Sequence, residues 1–383
     1  MTTENTEPGA EEIGTAQSVR PLELFFDLVF VFTMTQVALV LSELPTLAGL
    51  GRAAALLVVI WWMYGGYAWL TNTLDLDRTG PRLLILTGTA GFFVMSMTVP
   101  RAAEEGPWAW LFGASYLVVV AVHMVGFIGT SGHRGILRVG PINLGTALVV
   151  LAAGLLPPHT RPWLLALAAA MVLVTPIVTR VGGFTVGVGH FVERHGLAVI
   201  IVLGESINEV GALTSEQHEA RTAVVGALLA LALSAAMWWL YFGREDRESE
   251  VRLGQVPADR RPRVAVYSFG YAYYVIVLGI AVAAVGMEKS IEEFRHVSHG
   301  VQAVLLPLGI SLFLAGLAGF HRALAGTWPQ ARLWAVLVVA ALVAPAAWWG
   351  SGAAALGSAL VVLLGLIMWE GHHWDQVETS KPG

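Results

Sequence analysis

The sequence predicts an all-α polytopic membrane protein of about 12 transmembrane helices, and three observations carry that prediction. Of its 383 residues, 56% are hydrophobic and 13% charged, with a mean hydropathy of +0.68. A soluble domain carries about 25% charged residues. Apolar runs of about 17 to 25 residues recur along almost the whole chain, long enough to cross a ~30 Å hydrocarbon core as helices. Lysine and arginine gather in alternate connections between those runs, as the positive-inside rule requires of a multi-pass protein. This composition excludes a soluble globular enzyme and a disordered chain. A formal charge of −5 and a pI near 6.1 leave no basic surface to track phosphates, so nucleic acid is not an expected partner. No cysteine is present, which excludes disulfides, thiolate metal sites and a cysteine nucleophile.

Residues 1–20 are polar and acidic, with Glu4, Glu7, Glu11 and Glu12, and no apolar stretch follows a basic start. They read as a disordered cytoplasmic tail rather than a cleavable signal peptide, and residues 373–383 read as its C-terminal counterpart. The expected first half, residues 21–180, holds six spans: Leu22–Leu41, Arg52–Thr71, Pro81–Val99, Trp108–Ile128, Leu137–Leu156 and Trp163–Arg180. Pro157, Pro158 and Arg161 divide the fifth from the sixth. The second half, residues 181–372, holds Phe191–Leu213, Thr222–Phe242, Arg263–Gly286, Val297–Phe320, Leu333–Trp349 and Gly352–His372. Gly350, Ser351 and Gly352 divide the last two, and residues 243–262 read as a cytoplasmic loop.

With this set, 16 of the 22 Lys and Arg residues fall on the side of the N-terminus and 6 on the other. A missed or invented helix would scramble that separation, so both termini are predicted cytoplasmic. The halves also align with each other. Glu23 matches Glu193, Arg52 matches Arg221, and Trp61-Trp62 matches Trp238-Trp239. Pro81-Arg82 matches Pro262-Arg263, and His133-Arg134 matches His321-Arg322, at offsets growing from about 170 to 188. Six helices per half make such repeats parallel, related by an axis along the membrane normal.

A charge near the bilayer centre costs about 2.5–3.5 kcal/mol on insertion scales, so acidic groups inside the spans must face protein or water. On the first helix Glu23 and Asp27 are four apart and stack on one face. Asp27 reads either as half of an ion pair with a loop arginine such as Arg78 or Arg82, or as a proton- or cation-binding carboxylate. Asn72 and Asp75 end the second helix at the same level, which makes a polar cluster there the best geometric expectation. The seventh helix is the most polar, with His190, Glu193, Glu205, Ser206, Asn208 and Glu209. Glu205 lies twelve residues past Glu193, about 18 Å along a helix, and Gly204 beside it would admit a close neighbour. The candidate substrate- or proton-binding residues are therefore Glu23, Asp27, Asn72, Asp75, His190, Glu193 and Glu205.

His190 and Glu193 at i, i+3 have a spacing used by metal sites in helix bundles. Further ligands would have to come from His123, His133, His372 or His373, which read better as core or interfacial histidines. No metal or cofactor is predicted. Nor is there a G-x-S-x-G, a Walker A motif or a strand context for a dinucleotide fingerprint. Glu288, Glu292 and Glu293 read as a solvated outer loop.

The segment from Pro21 to Phe32 (PLELFFDLVFVF), the segment Trp61-Trp62…Thr71-Asn72…Asp75, and His190–Ile207 (HFVERHGLAVIIVLGESI) resemble the bacterial low-temperature-requirement protein A (LtrA) family. Leu278–Glu288 is similar to a later helix of that family, although His195 stands where family members carry an apolar aromatic. The resemblance implies an integral membrane protein linked by name to growth in the cold, and no catalytic roles to carry over. Three functions stay open: a secondary transporter or permease coupled through the embedded carboxylates, a non-catalytic membrane-stress or assembly factor, and a membrane-embedded lipid-acting enzyme. The transporter leads. Its expected partners are the lipid bilayer of the cell membrane and a small-molecule or proton substrate.

Overall fold

A computed structural model describes residues 19–379 except Glu105, Arg180, Val181, Gln217, His218 and Ser298. The tail expected at residues 1–20 lies outside the described residues as far as Ser18, as do residues 380–383. Six long helices build the first half: α1 (Pro21–Glu43), α2 (Leu47–Thr71), α3 (Thr79–Thr98), α4 (Pro107–Gly126), α5 (His133–Leu155) and α6 (Arg161–Thr179). The second half comprises α7 (Val188–Glu216), α8 (Ala220–Phe242), α9 (Glu245–Gln255), α10 (Arg261–Ala265), α11 (Tyr273–Glu292), α12 (Gln302–Ala325), α13 (Gln330–Val338), α14 (Ala344–Trp349) and α15 (Gly352–Thr379). Two π-helical turns, Val266–Ala272 and Val339–Val343, join α10 to α11 and α13 to α14.

Local chemistry sets the ends. Pro21 opens α1 with its fixed φ, and the Glu23 carboxylate reaches back to accept from the Arg20 amide at 3.0 Å. α2 begins earlier than the apolar run alone suggests because the Thr46 hydroxyl caps it, accepting from the Gly49 amide at 3.1 Å. Gly326 closes α12 in the left-handed conformation at φ +77°. Pro345 can give no amide proton to the preceding turn, and that turn is the π-helical Val339–Val343.

Eleven helical segments among the described residues are long and apolar enough to cross a membrane. The seventh of the twelve expected spans, now α7, is helical over Val188–Glu216 but falls outside that set; it is also the one interrupted by His190, Glu193, Arg194, His195 and Glu205. The bundle's outer surface is apolar, with Leu137 63% and Met368 74% exposed, as a lipid-facing surface must be when backbone polar groups are satisfied within helices. The expected loop at 243–262 contains α9. Glu245, Asp246 and Glu248 in its first turn and Arg252 in its last suit the helix dipole, and Glu248 pairs with Arg244 at 2.7 Å and Arg252 at 2.5 Å. At the C-terminus α15 continues to Thr379, so helix replaces the first part of the expected tail.

In the first half α1 packs on α2 and α3, α3 on α4, α4 on α5, α5 on α6, and α6 returns to α2. In the second half α7 packs on α8 and α11, α11 on α12, α12 on α13 and α14, both of these on α15, and α15 returns to α8. The halves meet where α1 lies against α7 and α11. Small residues let backbones approach most closely between α11 and α12. A β-carbon at Gly279, Gly286 or Gly309 would collide with the facing backbone at Phe313, Leu306 or Ala283 respectively.

Candidate functional site

Two successive turns of α1 carry Glu23 and Asp27, and two successive turns of α7 carry His190 and Arg194. The common spacing of four lets the pairs face each other where α1 meets α7. Arg194 donates from Nη1 to Glu23 Oε1 at 2.7 Å and to Thr71 Oγ1 at 2.6 Å, and from Nη2 to Asp27 Oδ1 at 3.3 Å. His190 Nε2 lies 2.8 Å from Glu23 Oε2. A carboxylate only accepts, so the imidazole proton sits on Nε2 in the neutral ring. The guanidinium also lies over the rings of Phe26 and Tyr64, 5.3 and 6.0 Å from their centroids.

This cluster is sealed: Glu23 and Asp27 are 1% exposed and Arg194 0%. Its bonding is nevertheless incomplete. Asp27 Oδ2 and His190 Nδ1 are buried and outside regular hydrogen-bond geometry, as is the Tyr64 hydroxyl, a neutral donor that stands beside the Asp27 carboxylate. Two carboxylates thus face one guanidinium and one imidazole, so the cluster holds several charged groups in a low-dielectric setting. Such charges are costly unless paired.

The other expected residues are placed as follows. The counter-charge of Asp27 is Arg194, not Arg78 or Arg82; Arg82 instead reaches Asp77 at 3.6 Å. Asn72 and Asp75 do not join the cluster. Asn72 donates from Nδ2 to the Gly187 carbonyl at 3.5 Å, while exposed Asp75 accepts from the Asp77 amide at 3.1 Å. Thr71, one residue before Asn72, is the contribution of α2. Glu193 is exposed, and its neighbour Arg194 turns inward instead. Glu205 is buried at 6% exposure, and its Oε1 has no partner. It lies eleven residues from Arg194 on the same helix, about 16 Å along the axis. Gly204 beside it is exposed and faces open space rather than a close neighbour. Glu288, expected in a solvated loop, is in α11 and accepts from Ser42 Oγ of α1 at 2.8 Å.

A second ionic cluster ties α8–α9, α12, α13 and α15 together. Arg332 donates to Glu370 through Nε at 2.9 Å and Nη2 at 3.1 Å, and to Glu245 through Nη1 at 2.7 Å. His321 Nδ1 lies 3.5 Å from the same Glu245 oxygen. Here both oxygens of Glu370 are paired in the two-pronged geometry that arginine favours, and Glu370 is only half-buried. This cluster is a complete structural tie, whereas the Glu23–Arg194 cluster is not.

An all-helical bundle with a lipid-suited exterior and a buried ionic junction defines a multi-pass membrane protein. The chain belongs to the bacterial low temperature requirement A protein (LtrA) family, which it matches over residues 18–368. It is 26% identical over 335 residues to an uncharacterized protein of Rhizobium meliloti (strain 1021), covering 83% of this chain and 81% of that one. No solved structure matches the chain.

Proposed function

We propose that the protein is a secondary transporter or permease of the cell membrane, built from two parallel six-helix repeats with both termini cytoplasmic. In this reading the Glu23–Asp27–His190–Arg194 cluster binds and releases a coupling proton, and the cargo is a small molecule or the proton itself. One observation carries it: at the junction of the halves a sealed cluster holds two carboxylates against one guanidinium and one imidazole, with only the neutral Tyr64 hydroxyl beside Asp27 Oδ2 and no partner on His190 Nδ1. The buried, unpartnered Glu205 Oε1 farther along α7 supplies a second acceptor on the same helix. Support for the repeat comes from the order of neighbours, which runs first with second and third, third with fourth, and second with sixth in each half. Sites at the junction of repeats are the usual arrangement in transporters.

The test is charge movement on a solid-supported membrane, with wild type, Asp27→Asn and Glu205→Gln in liposomes, pH jumps and a broad solute panel. Solute-dependent currents whose pH dependence disappears in folded Asp27→Asn protein are expected. Currents with unchanged pH dependence in both variants would overturn coupling through these carboxylates. Silence across the panel would favour a membrane-stress or assembly factor, or a lipid-acting enzyme.

A further inference from the structure

A groove of about 690 Å³ runs down the outside of the bundle, between α12 and the continuous stretch formed by α10, the π-helical turn Val266–Ala272 and α11. It lies in the second half and shares no residue with either ionic cluster. One wall carries Arg263, Tyr267, Tyr271 and Val275, and the other Ala315, Gly319 and Arg322. Steps of four residues drift by about 40° each on a regular α-helix. The wider π-helical turn offsets that drift, so all four positions of the first wall stay on the groove. From Arg263 to Val275 is twelve residues, about 18 Å along a helix. One leaflet of a ~30 Å hydrocarbon core is about 15 Å deep, so the groove has the depth of a leaflet.

The two ends of the groove differ in chemistry. At one end Arg263 and Arg322 are both exposed, and neither has a carboxylate partner among the described residues. Each is held by an aromatic ring instead: Arg263 lies 5.7 Å from the Tyr267 centroid and Arg322 6.0 Å from that of Trp328. Stacking on a ring leaves the N–H edge of a guanidinium open to an anion, where it makes charge-assisted hydrogen bonds. Tyrosine and tryptophan are also the residues that sit at the headgroup level of a bilayer. At the other end Val275, Ala315 and Gly319 leave space beside the Tyr271 ring. The Tyr271 hydroxyl already donates to the Leu173 carbonyl of α6, which fixes that ring. A β-carbon at Gly319 would meet only the Ala272 methyl, at 3.7 Å, an ordinary contact.

We infer that this groove is a binding site for one anionic phospholipid. Its phosphodiester accepts from Arg263 and Arg322, and one acyl chain lies along Tyr271, Val275 and Gly319. Charge complementarity sets the headgroup, and the leaflet-deep groove sets the chain. A soluble phosphate would occupy the mouth alone, and a zwitterionic lipid would bring an ammonium up to two guanidiniums. The site requires no transport activity.

The test is native mass spectrometry of the purified full-length protein titrated with dioleoyl phosphatidylglycerol, with dioleoyl phosphatidylcholine and glycerol phosphate as comparisons. One retained phosphatidylglycerol per chain is expected, with phosphatidylcholine held more weakly and glycerol phosphate failing to compete. Arg263→Gln and Arg322→Gln should each weaken retention about 5-fold, and together about 25-fold, the worth of one cation and of two beside an anionic lipid. Arg138→Gln removes an exposed arginine of α5 outside the groove and should leave retention unchanged, which separates a site from general surface charge. Gly319→Leu should weaken retention with both arginines in place and melt as the wild type does. Equal retention of phosphatidylcholine, competition by glycerol phosphate, undiminished binding in Gly319→Leu, or the same loss in Arg138→Gln as in Arg263→Gln would each overturn the inference.

Discussion

Glu23 and Arg194 meet at 2.7 Å although 171 residues of chain separate them, and each sits near the start of the first helix of its half. The pair is a link between the two halves made by charge, and its side-chain partners Asp27, Thr71 and His190 are all buried. Its energetics follow from what each oxygen and nitrogen touches.

Replacing Arg194 strands two buried carboxylates. Arg194→Met should lower stability by about 3–5 kcal/mol, the cost of removing one partner of a buried ion pair. Arg194→Lys should recover little, because one ammonium cannot span Glu23, Thr71 and Asp27 as the planar guanidinium does. Thermal melts of the purified protein in detergent read both.

The two acidic partners should differ. Glu23 accepts from Arg194, His190 and the Arg20 amide, whereas Asp27 has one longer bond of 3.3 Å to Arg194 and the neutral Tyr64 hydroxyl beside it. Glu23→Gln is therefore expected to cost about 1.5–3 kcal/mol, the worth of a hydrogen bond to a charged group. Asp27→Asn, which weakens fewer and longer bonds, is expected to cost less than Glu23→Gln. A chemical-denaturation series comparing the two variants checks the order.

Glu193, adjacent to Arg194 but exposed, should be replaceable. Glu193→Gln is expected to change stability by no more than about 0.5 kcal/mol and to leave any pH-dependent current intact, readable by melts and by electrophysiology on the same preparation.

The tie at the other ionic cluster should register as coupling rather than as activity. In a double-mutant cycle, Arg332→Met and Glu370→Gln are expected to show an interaction energy of about 0.5–3 kcal/mol, because the two-pronged bond is lost once in either single variant. Transport measured in Glu370→Gln protein should match wild type.

At the α11–α12 contact, Gly309 faces the Ala283 backbone, which cannot step aside. Gly309→Leu is expected to cost more than about 3 kcal/mol, beyond ordinary overpacking. Gly357, with nothing near a would-be β-carbon, should tolerate the same change. Yields of monodisperse protein and melting temperatures distinguish them.

The helices were legible because span length and arginine placement are local properties of the chain. The cluster was legible only on one side. Glu23 and Asp27 stand out as acids in an apolar helix, but Arg194 reads as one more cation at a cytoplasmic helix end. Neighbouring residues point about 100° apart on a helix, so whether Glu193 or Arg194 faces inward depends on where α1 lies. The alignment of Glu23 with Glu193 favoured the outward-facing neighbour. The available signal was complementarity: His190 and Arg194 repeat the spacing of Glu23 and Asp27 with the opposite chemistry.

The length of chain between Glu23 and Arg194 also sets an order of events during biosynthesis. Among the described helices α1 emerges first, yet its counter-charge arrives with α7, 171 residues later. At about 5–20 residues per second that gap is roughly 10–30 s. Through that interval the acidic end of α1 must stay in touch with water or lipid headgroups. α1 can therefore take its final depth only after the second half has begun to insert, which makes its seating a late step of assembly although it precedes every other described helix.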